Sequence, residues 1–149
     1  MMRRFFLLSV TLFVGSVALF AQSNEFIDQV LTKKQLDAGS AAYLVLAASA
    51  LVDPSVSPDQ ALETLGQRGW NVKLSSPTTP VTLGQYSYLL MRAFNISGGL
   101  LYRAFPGPRY AERELVYRGF ITDKANPYRT LSGEEALRIL NAVLASKEE

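Results

Sequence analysis

Residue types that could break or make bonds are scarce in this chain. It has no His and no Cys. That removes a Ser–His or Cys–His nucleophile and the nitrogen and sulfur ligands of a zinc site. Carboxylates remain, and paired carboxylates are the machinery of glycoside hydrolysis. Yet Glu134 and Glu135 are adjacent, and Glu112 and Glu114 stand two apart on an expected helix, where they do not face each other. No Gly-rich phosphate loop and no acidic calcium loop occurs. The expectation is a non-catalytic protein with no catalytic residue, no metal and no cofactor. Carboxylate-dependent glycan hydrolysis is the remote alternative.

The cations suit binding better than bond-making. Lys33, Lys34 and Arg129 fall near expected helix starts, where backbone N–H groups favour anions, and are the candidate ligand-binding residues. The bland alternative is ordinary solvated charge. Residues 103–129 hold six basic residues against three acidic ones, although the Arg109–Arg113 and Glu114–Arg118 spacings match helix-surface pairs. Tyr88 and Tyr117 are the candidates for a partner surface, because Tyr86 lies on an expected core stripe. Trp70 directly follows a helix stop, as Phe120 does, which places both at the core.

Positioning these residues requires helices, and their starts are written into the sequence. The pattern apolar, Ser or Thr, two others, then Gln or Glu recurs at fifty-residue intervals, as Leu31-Thr32-Lys33-Lys34-Gln35, Val81-Thr82-Leu83-Gly84-Gln85 and Leu131-Ser132-Gly133-Glu134-Glu135. That is the capping box, in which hydroxyl and long side chain each satisfy a free backbone N–H. Each copy opens a helical apolar stripe, such as Leu89, Leu90, Ala93, Phe94 and Ile139, Leu140, Val143, Leu144. These features predict helices over roughly 32–51, 82–95 and 132–145. Connecting helices are predicted over 58–68 and 108–118, each opened by Pro and stopped by Gly69 or Gly119. Residues 58–94 and 108–144 align without a gap at seven identities, on caps, stops and core positions. Residues 24–30 read as one short helical turn. The fold class expected is all-α, two and a half helix–loop–helix repeats of about 50 residues around a central three-helix core.

The first 23 residues read as a signal peptide: a basic start with Arg3 and Arg4, an uncharged stretch from Phe5 to Ala21, and small residues at Ala21-Gln22-Ser23. The alternative is an uncleaved anchor, but the stretch is short for a span and includes Ser9, Thr11, Gly15 and Ser16. Cleavage after Ala21 or Ser23 leaves no integral membrane span, a single domain over 24–146 and a frayed C-terminus at 147–149. The whole chain carries fifteen basic and thirteen acidic residues; without Arg3 and Arg4 the two balance. A neutral, exported chain is not a nucleic-acid partner. The expected location is the periplasm or the cell surface.

The residues of the final repeat resemble the S-layer homology domain, a short helical module usually found in threes. Phe105, Tyr110-Ala111, Leu115, Gly119-Phe120-Ile121, Pro127 and Leu131-Ser132-Gly133-Glu134-Glu135 follow that family's order of motifs. The middle stretch matches through Ala61, Leu65, Gly69-Trp70, Pro77 and Val81-Thr82, and the first only through Leu31-Thr32. The resemblance implies a pseudo-threefold helical spindle that attaches to peptidoglycan or a wall polymer of the cell envelope. It implies a cell-wall glycan partner or, failing that, an envelope protein. The family's Arg, which reads an acidic sugar, is replaced by Lys33, Leu83 and Gly133. A periplasmic protein-interaction module that has lost glycan binding is therefore the alternative function.

Overall fold

The structure is a computed structural model that describes residues 24–148. The expected signal peptide lies outside the described residues. Among those described, the chain forms seven helices and no strand: α1 over 24–32, α2 Ala38–Ala48, α3 Pro58–Gln67, α4 Leu83–Ala93, α5 Leu100–Ala104, α6 Pro108–Tyr117 and α7 Gly133–Glu148. The all-α expectation holds. None of these helices is long and apolar enough to cross a membrane.

Local chemistry starts and stops most of these helices. Ser57 Oγ accepts from Gln60 N at 3.2 Å while Gln60 Oε1 accepts from Ser57 N at 2.8 Å, and Pro58 follows at the first helical position. Thr82 and Gln85 make the same reciprocal pair at 3.3 and 2.9 Å, opening α4. Past α3 and α6 the chain turns at Gly69 and Gly119, whose φ angles of +64° and +77° suit residues without a Cβ.

The first predicted capping box does not form. Thr32 lies in the last turn of α1, where its hydroxyl donates to Gln29 O at 2.8 Å. The chain then turns at Lys33, whose amide donates to Val30 O, and α2 opens only at Ala38. Its cap is Asp37, whose Oδ1 accepts from Ser40 N at 2.8 Å. Residues 24–32 accordingly form a longer helix than the single turn expected. The third box forms in half. Ser132 Oγ accepts from Glu135 N at 3.1 Å, but the Glu135 carboxylate turns away to Arg129. At its far end α7 continues to Glu148, beyond the predicted limit at 145.

Backbone hydrogen bonds join the segments leading into α2, α4 and α7. Val81 N donates to Leu36 O and Leu36 N to Leu131 O, at 2.8 and 2.9 Å. Ala38 N donates to Thr79 O, Leu83 N to Arg129 O, and Gly133 N to Lys33 O. Leu36, Val81 and Leu131 are all buried here. Counted from the caps Asp37, Thr82 and Ser132, the seventh and eighth residues are Leu44 and Val45, Leu89 and Leu90, Ile139 and Leu140, every one buried. The cap-to-cap intervals are thus 45 and 50 residues rather than 50 and 50. Phe94 and Leu144 pack half-buried against the same core cluster as Leu44.

The outer helices pack on this centre, α3 on α2 and α6 on α4, while α4 also contacts α2 and α7. Glycine permits that approach. An added Cβ at Gly39 would meet Pro58 Cβ at 3.3 Å and Pro77 O at 3.4 Å; at Gly84 it would meet Pro127 O at 2.9 Å and Pro108 O at 3.1 Å. The corresponding residue of α7 is Glu134, which is exposed.

Candidate functional site

The three predicted cations have different fates. The turn after α1 and the segment before α7 lie side by side, so Lys33, Lys34 and Arg129 belong to one end of the fold. Lys33 Nζ, however, bonds to the Asp37 carboxylate and, at 2.8 Å, to Ser40 Oγ. Burial pushes the Asp37 carboxyl up, but the Lys33 and Ser40 hydrogen bonds outweigh it and hold the group below its ordinary value. Arg129 is engaged on every side: both oxygens of Glu135, Lys124 O at 2.9 Å and Thr130 O at 3.2 Å accept from it. Its pKa is raised, chiefly by the Glu135 pair. Of these three cations, Lys34 alone is exposed and makes no salt bridge among the described residues.

Of the expected ligand-binding cations, Lys33 and Arg129 are thus each held in an ion pair with a carboxylate of the chain. The physical reason is proximity: each cation has a carboxylate at hand, which satisfies it without a ligand. The shifted register also moves the position that the resemblance assigned to an Arg. Directly after the caps stand Ala38, Leu83 and Gly133, all buried and none charged. A Cβ at Gly133 would lie 1.8 Å from Val30 O, so a side chain has no space there at all.

Among the carboxylates, Glu135 is bound by Arg129 and Glu134 is exposed. Glu112 is buried on α6, and its Oε1 has no hydrogen-bond partner. Burial raises its pKa, opposed by Arg113 and Arg129.

The aromatic predictions also separate. Tyr88 is not on the surface: α4 is enclosed along most of its length, and Tyr102 of α5 covers Tyr88 edge-on with ring centroids 6.2 Å apart. Tyr117 is the opposite case, at 88% exposed. Trp70 is half-buried against the core, with the guanidinium groups of Arg68 and Arg92 5.4 and 5.9 Å from its ring centroid.

The element that sequence reasoning missed is α5. Connection α2–α3 and connection α4–α6 differ by five residues, which is the length of α5 and the whole difference between the two cap intervals. This insertion presents Leu100, Leu101 and Phe105 to solvent at 82, 52 and 64% exposure. It is firmly held from beneath. Glu114 accepts from Gly99 N at 2.9 Å and from Arg118 Nε at 3.0 Å, and Arg118 also bonds Ser97 O. Leu100, Leu101, Tyr102, Tyr110 and Arg113 line a groove of about 270 Å³ between α5 and α6. Tyr117 follows Arg113 by one helical turn. The available signal was an apolar Leu-Leu and a Phe fenced by Gly98-Gly99 and Pro106-Gly107-Pro108. Such a ridge offers apolar contact and guanidinium charge, not acid–base chemistry.

No protein-family model matches the chain, and neither a curated protein nor a solved structure matches it.

Proposed function

We propose that this protein is a non-catalytic module of the bacterial cell envelope, exported by its leader, with a degenerate S-layer-homology-like arrangement of helices. In this reading α2, α4 and α7 form the central core of two and a half repeats, with α3 and α6 as prongs. The linked turns before α2, α4 and α7, and the shared Gly–Pro packing of the first two, support it. The module acts by docking to another envelope component through α5, having lost the glycan site typical of the resemblance.

One observation carries this: α5 and its C-cap expose Leu100, Leu101 and Phe105 to solvent while Tyr102 of the same helix packs on the core. Exposed apolar groups clustered on a held element mark interaction surfaces. The neutralised Lys33 and Arg129 argue against the glycan-attachment reading in the same terms.

The test is retention on purified peptidoglycan sacculi across a salt series, together with fractionation of expressing cells. The chain is expected to stay in the sacculus supernatant and in the cell's envelope fraction. Leu100→Ser with Phe105→Ser should release it into the soluble fraction. Retention on sacculi that is lost with Lys34→Ala would restore glycan attachment and reject this proposal.

A further inference from the structure

We infer that the α5–α6 ridge docks on a membrane surface carrying anionic phospholipid headgroups. This rests on the reading that α5 is the docking element and names its partner. The apolar side chains of Leu100, Leu101 and Phe105 stand out from a tip made of the five-residue α5 and its C-cap. Phe105 packs beside Tyr110, ring centroids 6.3 Å apart, so the apolar surface continues onto α6. Around it lie Arg103, Arg109 and Arg113, exposed and without a salt bridge among the described residues.

The nearby carboxylates do not offset that charge outward. Glu114 is turned to Gly99 and Arg118, and Glu112 is buried. The ridge is therefore apolar at its crest and cationic at its flanks. That order suits an interface in which apolar groups enter the acyl boundary while arginines reach back to phosphates. The crest is carried by three large exposed side chains, Leu100, Leu101 and Phe105. A bilayer needs no matching surface, only apolar depth and opposite charge.

The experiment is co-sedimentation of the exported chain, its N-terminus fixed by mass spectrometry, with vesicles of phosphatidylglycerol mixed equally with phosphatidylcholine. Comparison is made with phosphatidylcholine alone. Binding to the anionic vesicles is expected to weaken at about 0.5 M salt. Leu100→Ser with Phe105→Ser should lower the partition coefficient at least about tenfold, as should Arg103→Gln, Arg109→Gln and Arg113→Gln together. Unchanged melting temperatures would exclude a folding defect. Equal vesicle binding by wild type and both variants would overturn the inference. So would absence of vesicle binding when envelope retention still depends on Leu100 and Phe105, which identifies a protein partner and leaves the docking function standing. Envelope retention indifferent to those two residues would sink both.

Discussion

The hydroxyl of Tyr86, on α4, donates a hydrogen bond to the carbonyl oxygen of Ala136, on α7, across 3.0 Å of buried interior. Both residues follow their caps, Thr82 and Ser132, by four positions, and the corresponding residue of α2 is Ala41. All three are fully buried. One large aromatic thus occupies the layer in which the other two helices supply only a methyl group, as a close-packed interior requires. Tyr86→Phe should cost about 1 kcal/mol through the lost bond, and Tyr86→Ala about 3–5 kcal/mol through the cavity left behind. Denaturant titration would check both; a neutral Tyr86→Ala would contradict this packing.

Three glycine substitutions should rank in a fixed order. Gly133→Ala should be the worst, costing about 3 kcal/mol, because its Cβ would strike the Val30 carbonyl, which cannot yield without moving the turn. Gly84→Ala should cost about 2 kcal/mol, its Cβ clashing with the Pro127 carbonyl at 2.9 Å and crowding that of Pro108 at 3.1 Å. Gly66→Ala should stabilise by about 0.5–1 kcal/mol, since it lies within α3 with nothing near its Cβ position. Melting temperatures of the three variants decide it.

Asp37 combines a cap with an ion pair, and two variants separate the roles. Asp37→Asn keeps a capping oxygen and removes the charge facing Lys33; Asp37→Ala removes both and should cost about 1 kcal/mol more. The native carboxyl titrates below its ordinary value of 3.8, so its stabilising contribution is present above that pH. It is lost as pH falls through the native value. The stability gap between wild type and Asp37→Asn should therefore close in acid.

Glu112 has the opposite sign. Its native pKa is raised above 4.5 by burial, so the folded state holds the proton more tightly than the unfolded chain. Stability falls as pH rises through that window, and the buried carboxylate is a burden at neutral pH. Glu112→Gln should raise the melting temperature at pH 7, with the advantage fading below pH 4.5. A uniform effect at every pH would indicate packing rather than charge.

Much of the helical content was legible because its determinants lie within a few residues. The Ser57-Pro58 start, the Thr82–Gln85 box and the Gly69 and Gly119 stops act through bonds and torsions one turn long, and α3, α4 and α6 fall close to their predicted ranges. The same locality misled at Thr32. Its hydroxyl and Gln35 have capping spacing, but the backbone there is still leaving α1, and the cap that forms is Asp37, five residues on. Helix α5 escaped notice because its apolar residues face solvent, so no core stripe announces it.

By itself, then, the sequence determined an all-helical chain and where most helices begin and end. Tertiary structure alone decided the register of α2, through Leu36 bonding to Val81 and Leu131. It decided that Tyr88 is covered while Tyr117 is not, and it set the backbone turns that bring Lys33 and Arg129 onto carboxylates four and six residues away. Caps and stops depend on neighbours along the chain; burial depends on neighbours brought together by folding.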